Sequence, residues 1–130
     1  MRVVFDTNIF ASAFVFPGSR ADAAVRRVLD GEDELVISRA IIDELLTVLA
    51  RKFARDADEL GRVAVFLADL SVVVRPRGRV KILSDDADNR ILECARSGHA
   101  DVIVTGDRAM IALGRYQDIE IKSLRDYLAS

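Results

Sequence analysis

The sequence has few of the residues that build covalent or metal-bound scaffolds. It contains one cysteine, Cys94, and one histidine, His99, in 130 residues. A single cysteine excludes an intrachain disulfide framework and a cysteine-based zinc site. Cys94 lies among apolar residues of a helical pattern, so we expect a small core side chain there. His99 follows Ser97 and Gly98, where an exposed residue at a helix end is typical.

Long apolar runs and an excess charge of one sign are also missing. No apolar run approaches the length of a membrane-spanning helix, and Asp6 and Asn8 interrupt the apolar start of the chain. We therefore expect a cytoplasmic protein without a membrane association. The net charge is −2, so nucleic-acid binding has to rest on local clusters. Sixteen of the nineteen basic residues are arginine, which suits bidentate phosphate contacts, although a GC-rich genome produces the same bias.

Short apolar segments alternate with longer helical patterns along the chain. The predicted strands are Val3–Phe5, Leu35–Ile37, Val72–Val74, Val102–Val104 and Ile119–Ile121. The predicted helices are Arg20–Leu29, Arg39–Lys52, Asp56–Leu70, Asp86–Arg96, Asp107–Leu113 and Leu124–Leu128. This alternation predicts crossover connections and a parallel sheet covered on both faces. We predict one domain over residues 1–130, a three-layer α/β/α sandwich with a mainly parallel central sheet.

Two acids follow predicted strands directly. Asp6 comes after Val3–Phe5, and Asp107 comes after the fourth strand with Thr105 and Gly106 between. Functional groups of such sheets gather at the carboxyl ends of the strands, so both acids are expected at one edge. Asp107 has a structural explanation as well, because aspartate is a preferred helix N-cap. Thr7 or Asn8 could similarly cap a short helix after Asp6.

Two further acids lie on predicted helices. Asp88 is three residues before Ile91 and four before Leu92, which places it inside an apolar face, whereas Asp86, Arg90 and Glu93 point the other way. A buried, unpaired acid is rare, so this position favours a function, although Asp88 could also cap a helix that begins later than Asp86. Glu44 borders the apolar face of its helix and is expected nearer the core than Asp43. A surface ion pair with Arg51 or Lys52 explains Glu44 equally well.

Four converging carboxylates repel one another unless protons or a cation neutralise them. Mg²⁺ and Mn²⁺ prefer carboxylate and water oxygens, and no histidine pair or activated nucleophile competes for the role. A metal so held can activate water and neutralise phosphoryl oxygens. The acids therefore favour metal-assisted phosphodiester chemistry.

Four segments together resemble the PIN domain family. They are Met1–Asn8, the helix around Glu44, Asp85–Ala95 and Ala100–Asp107, and they occur in the family's order over nearly the whole chain. The similar subgroup comprises the VapC-like toxin components of toxin–antitoxin systems. The resemblance implies a Mg²⁺- or Mn²⁺-dependent endoribonuclease whose acidic quartet corresponds to Asp6, Glu44, Asp88 and Asp107. It also implies Asn8 and Thr105 as supporting polar residues, a homodimer or higher oligomer, and inhibition by a small antitoxin.

An RNA substrate requires a basic surface near the acids. Arg75, Arg77, Arg79 and Lys81 alternate around Pro76, so an extended backbone would place all four on one side. A solvated basic loop explains them equally well. Phe10, Phe14, Val15 and Phe16 form an apolar stretch for which core packing is the default and a dimer or antitoxin contact the alternative.

Other functions remain open from the residues alone. A non-toxin PIN nuclease in RNA processing would carry the same acids. A receiver domain would need a pair of acids after the first strand and a phosphoacceptor Asp, and Arg75 follows Val72–Val74 instead. A haloacid-type phosphatase would need a second aspartate where Asn8 stands. An inactive PIN-like binding module is disfavoured by the intact acids, and RNA and structured DNA are not distinguished.

Overall fold

The computed structural model describes residues 1–130 as a six-stranded sheet with seven helices. The strands are β1 (Arg2–Phe5), β2 (Glu34–Ser38), β3 (Val72–Val74), β4 (Val102–Thr105), β5 (Arg115–Tyr116) and β6 (Ile119–Ser123). The helices are α1 (Thr7–Val15), α2 (Arg20–Leu29), α3 (Arg39–Phe53), α4 (Ala57–Leu70), α5 (Asp86–Ser97), α6 (Arg108–Leu113) and α7 (Leu124–Ala129). No helix is both long and apolar enough to cross a membrane.

The strand order is β3-β2-β1-β4-β6-β5, and all neighbours pair in parallel except β5 with β6. Successive residues of a strand face opposite sides of the sheet. Val3, Val4 and Phe5 are all fully buried, so both faces of the sheet are covered. The predicted three-layer α/β sandwich is therefore confirmed. The strand order reverses between β1 and β4, which opens a crevice at their carboxyl ends.

The structure adds one strand, extends one predicted helix and corrects one predicted cap. The two-residue strand β5 was not predicted. The short helix after Asp6 was expected without bounds, and it extends over nine residues as α1. Its cap is Asp6 rather than Thr7 or Asn8, because the Asp6 side chain accepts from the amide of Asn8. Phe10 of α1 is fully buried, in line with core packing, whereas Phe16 is exposed beyond the end of the helix.

The helix α5 lies close to the sheet because its apolar face is buried. Ile91, Leu92, Cys94 and Ala95 all belong to the core. At the end of α5, a Cβ on Gly98 would collide with the Val36 side chain, so glycine permits this close approach. Cys94 is fully buried and His99 is exposed, as predicted. This packing fixes the direction in which Asp88 points.

Candidate active site

Asp6 lies at the crevice between β1 and β4. Its amide donates to the Val104 carbonyl at 2.9 Å, and its side chain is 4% exposed. One carboxylate oxygen, Oδ1, accepts from the amide of Asn8 at 3.0 Å, and the other, Oδ2, accepts from the Thr105 hydroxyl at 2.6 Å. Burial raises the pKa of Asp6, and these two hydrogen bonds oppose the rise. The negative charges of nearby Asp107 and Asp85 raise it further.

Thr105 connects Asp6 with Asp107. Its side chain is fully buried at the end of β4, and its hydroxyl oxygen accepts from the Asp107 amide at 3.0 Å while it donates to Asp6. The Asp107 oxygen Oδ1 accepts from the Met110 amide at 3.1 Å and so caps α6. The expected cap role of Asp107 is thus present. Because a carboxylate has about four lone-pair positions, one capping bond leaves most of them free.

Asp88 has the most perturbed carboxyl group of the site. It is 6% exposed on α5, and its Oδ2 atom is buried without a hydrogen-bond partner. Burial raises the pKa of Asp88 to about 7, and the charges of Asp107, Asp85 and Asp6 add to the rise. The Asp107 carboxyl group also raises this pKa by its proximity, since two carboxyl groups can share a hydrogen bond only when one of them holds a proton. Asp88 therefore faces other acids with no donor to satisfy it.

The predicted inward and outward positions are correct at the start of α5 and wrong one turn later. Asp88 is buried and Asp86 exposed, as expected, whereas Glu93 was expected outside and is buried. Glu93 accepts from the Val80 amide at 2.8 Å and pairs with Arg90 at 2.8 Å. Its hydrogen-bond partner belongs to the loop between β3 and α5. The path of that loop cannot be inferred from helical periodicity.

Asp85, at the start of α5, is a further acid near the site. It does cap α5, since its side chain accepts from the Ala87 amide at 2.9 Å. Its charge also raises the pKa values of Asp6 and Asp88. Its proximity to Asp88 could have been predicted from the sequence, because residues three positions apart are neighbours on the surface of a helix. Asp85 thus increases the negative potential of the crevice.

Glu44 lies apart from this group in the structure. It is exposed on α3, as Asp43 is, so the expected position of Glu44 nearer the core is not confirmed. The buried positions of α3 are Ile41, Leu45 and Leu49, which form a narrower stripe than predicted. The charges of Asp107 and Asp85 raise the pKa values of Asp6 and Asp88, whereas Glu44 is not among the causes of either shift. The side chain of Asn8 is also exposed, and only its amide contacts Asp6.

The donor set suits a hard cation. Three acids and a threonine hydroxyl approach the crevice, and the unpartnered Asp88 oxygen needs a proton or a positive charge. No three acidic, histidine or cysteine side chains are already grouped closely enough to form a metal site. Mg²⁺ typically takes one or two carboxylates and keeps several waters, so a complete protein cage is not required. The residues present are therefore compatible with Mg²⁺ or Mn²⁺.

The fold and the site together define a class: a doubly wound α/β domain with acidic residues at its topological switch point. The PIN domain family model matches residues 2–109, and the chain belongs to this family. PIN domains are nucleases. Family membership sets aside the receiver and phosphatase alternatives.

Individual relatives are distant. An uncharacterized protein of Methanocaldococcus jannaschii, MJ1680, is 25% identical over 117 residues, which cover 87% of this chain and 75% of the relative. VapBC-1 from nontypeable Haemophilus influenzae matches with a TM-score of 0.65 and 19% identity, over 96% of this chain and 99% of that one. VapBC2 from Rickettsia felis, bound to a promoter DNA fragment, matches with a TM-score of 0.65 and 13% identity, over 95% and 98% of the chains. At these identities the structures establish the fold.

Proposed function

We propose that this protein is a metal-dependent endoribonuclease that hydrolyses RNA phosphodiester bonds at the crevice between β1 and β4. The observation that carries the proposal is the buried, unpartnered Oδ2 atom of Asp88, directed toward other acids. A carboxylate left in this state is unfavourable, and strongly perturbed acids in a crevice are typical of functional sites. Family membership supplies the nuclease class.

Asp6, Asp88 and Asp107 are the proposed ligands of Mg²⁺ or Mn²⁺. A divalent ion bound there would supply an activated water and neutralise charge on the phosphoryl oxygens. Asp6 is already oriented, because the Thr105 hydroxyl and the Asn8 amide occupy one lone pair on each of its oxygens. Asp88 is the acid whose proton the ion would displace, since its pKa is raised to about 7.

Glu44 is the proposed fourth acid, on the basis of the family resemblance alone. Its exposure on α3 is compatible with a contact to a bound ion through water. Asn8 and Thr105 are proposed as supporting residues. For Thr105 the support is the pair of hydrogen bonds that joins it to Asp6 and Asp107.

RNA is proposed as the substrate because the sequence resembles the VapC-like ribonucleases. Arg75, Arg77, Arg79 and Lys81 are all exposed and are the proposed contacts to the RNA backbone. Such contacts fix the position of a nucleic acid without reading its bases. Structured DNA is the alternative substrate, and it belongs in the same assay.

A small antitoxin is the proposed protein partner. The two solved relatives are VapBC assemblies, and this chain aligns with nearly their full chain length. We also propose for this chain a homodimer or higher oligomer, a cytoplasmic location and inhibition by an antitoxin that covers the acidic crevice. Co-expression with the product of an adjacent short reading frame tests this part. A stable complex without nuclease activity supports it, and an active protein that captures no such product favours a role in RNA processing.

The activity itself is tested with purified protein and end-labelled RNA. We expect internal cleavage in Mg²⁺ or Mn²⁺, none in EDTA, and none from Asp6→Ala with an unchanged circular dichroism spectrum. Labelled single-stranded and hairpin DNA are the substrate controls. Cleavage that persists both in EDTA and in Asp6→Ala would refute the proposed site.

A further inference from the structure

A basic cleft lies beside the acidic crevice, at the ends of β2 and β3. It has a volume of about 690 Å³ and is lined by Ser38, Arg39, Val74, Arg75, Arg79 and the Arg90–Glu93 pair, among others. No aromatic side chain lines it. We name this surface the arginine cleft. Arg39 was not singled out by the sequence, whereas Arg77 and Lys81 lie outside the lining.

The sheet register aligns the arginine cleft with Asp6. Val3 pairs with Leu35, so the same parallel register continued by three residues sets Asp6 opposite Ser38. Ser38 in turn pairs with Val74. Arg39 and Arg75 are the residues that follow these two strand ends. Neighbouring strands lie about 5 Å apart. The end of β2, which precedes Arg39, is therefore about 5 Å from the end of β1, and the end of β3, which precedes Arg75, is about 10 Å from it.

Hydrogen bonds from side chains of α5 hold the loop that carries Arg75 and Arg79. The Arg77 carbonyl accepts from Arg96 at 2.8 Å, and the Val80 carbonyl accepts from Arg90 at 3.1 Å. The Val80 amide donates to Glu93, and the Asn89 side chain accepts from the amides of Ile82 and Leu83. These bonds fix the backbone while the side chains of Arg75 and Arg79 remain exposed. A basic surface that is ordered in advance loses less entropy on binding.

The charge of the arginine cleft is largely uncompensated. Arg90 is neutralised by Glu93 at 2.8 Å. Arg39 is 3.8 Å from Asp43, and both side chains are strongly exposed, so this pair contributes little. Arg75 and Arg79 form no ion pair. Three guanidinium groups are therefore available to an anionic ligand.

We infer that the arginine cleft binds the phosphodiester backbone of the RNA strand on one side of the scissile bond, independently of base sequence. The inference rests on the proposed ribonuclease function. Guanidinium groups match phosphate geometry, and the absence of aromatic side chains removes the usual means of stacking bases. Asp6, Ser38 and Val74 lie side by side across the sheet, so this edge of the sheet gives the RNA strand a continuous path from the acids to the arginines.

The test is RNA binding by variants in a cleavage-inactive Asp6→Asn background. A fluorescein-labelled single-stranded oligoribonucleotide of mixed sequence is titrated in a KCl series and followed by anisotropy. The cleft variants are Arg75→Ala/Arg79→Ala, with Arg39→Ala separately, and the charge-keeping variant is Arg75→Lys/Arg79→Lys. Arg62→Ala/Arg125→Ala is the matched control, because it removes two exposed arginines of α4 and α7 and changes the net charge equally.

We expect Arg75→Ala/Arg79→Ala to weaken binding at least tenfold at low salt, for oligoribonucleotides of different sequence alike. Each phosphate contact contributes about 0.7 to the slope of log K against log salt for single strands, so two lost contacts reduce it by about 1.4. Arg39→Ala should reduce it by about 0.7. The lysine variant should keep most of the slope, and the matched control should keep all of it.

Equal losses in the cleft variant and the matched control would overturn the inference, because they would show only long-range attraction. A loss confined to one base sequence would also overturn it. Polyglutamate of similar length serves as the second probe. If the cleft variants lose polyglutamate and keep RNA, the cleft belongs to an acidic protein segment. If the wild-type protein cleaves RNA and the cleft variants bind RNA normally, only the role of the arginine cleft is refuted. If the wild-type protein neither binds nor cleaves RNA, the proposed ribonuclease function is refuted as well.

Discussion

The Thr105 hydroxyl donates a 2.6 Å hydrogen bond to Asp6 across a separation of 99 positions in the chain. It joins the ends of β1 and β4, the two strands between which the strand order reverses. The same oxygen accepts from the Asp107 amide at 3.0 Å. One buried hydroxyl therefore sets the positions of two acids of the crevice.

Replacement of Thr105 tests this role. Thr105→Val leaves a buried Asp6 oxygen without its donor and the Asp107 amide without its acceptor, so we expect a loss of about 1–3 kcal/mol in the free energy of unfolding at pH 8. The loss should shrink at acid pH, because Asp6, whose pKa is raised, becomes protonated and no longer needs this donor. Thr105→Ser retains the hydroxyl and should stay close to wild type at both pH values. Urea unfolding provides the measurement, and equal stabilities of the Val and Ser variants would refute the role.

Asp88 should make the metal-free protein less stable as the pH rises. Its pKa in the folded state is about 7, above its ordinary value of 3.8, so the folded state binds this proton more tightly. The stabilising contribution is complete below about pH 4 and is lost as the pH rises through about 7. We expect Asp88→Asn to be more stable than wild type in EDTA at pH 8, by about 1–3 kcal/mol, and to show a flatter pH profile.

The matched control for that experiment is Asp86→Asn. Asp86 is exposed two residues earlier on the same helix. This variant should retain the wild-type fall in stability between pH 5 and pH 8. If Asp86→Asn flattens the profile and Asp88→Asn does not, the assignment of the buried acid is wrong.

A divalent cation should stabilise the folded protein. A ligand at a hundred times its dissociation constant contributes about 2.7 kcal/mol, which corresponds to a rise of several degrees in melting temperature. We expect this rise with Mn²⁺ and Mg²⁺ for wild-type protein and none for Asp6→Asn/Asp88→Asn. Ca²⁺ serves as a comparison ion of the same charge. A melting temperature that does not respond to millimolar Mn²⁺ would contradict the metal site.

Glu44 and Asp43 form a further pair for comparison. Both are exposed neighbours on α3, so neutralising either should leave the stability within about 0.5 kcal/mol of wild type. If Glu44 belongs to the acidic set, Glu44→Gln lowers the cleavage rate and Asp43→Asn does not. Equal rates for both variants would remove Glu44 from the site and leave Asp85 as the acid beside the other three.

The features that follow from local pattern were predictable from the sequence. Apolar runs ended by Asp6 and by Thr105–Asp107 defined two strand ends, and parallel topology required them to share an edge. Helical periodicity placed Asp88 inward because Ile91 and Leu92 follow it by three and four residues.

The features that depend on distant chain segments were not predictable in this way. The partner that allows Glu93 to be buried is a backbone amide of the preceding loop, at Val80. The exposure of Glu44 depends on how much of α3 is covered by the elements packed against it. Sequence periodicity predicted a wider buried face than the stripe of Ile41, Leu45 and Leu49. The alignment of Arg39 and Arg75 with Asp6 follows from the order and register of the strands.

We propose that Asp88 and its neighbouring acids act with a bound divalent ion to cleave RNA. The most direct measurement is single-turnover cleavage of labelled RNA over a Mn²⁺ series by wild type, Asp88→Asn and Asp86→Asn, each confirmed as folded. We predict that Asp86→Asn stays within about twofold of the wild-type rate. Asp88→Asn should lose more than about a hundredfold, without rescue by Mn²⁺. Cleavage by Asp88→Asn at the wild-type rate, with the same Mn²⁺ dependence, would contradict the claim.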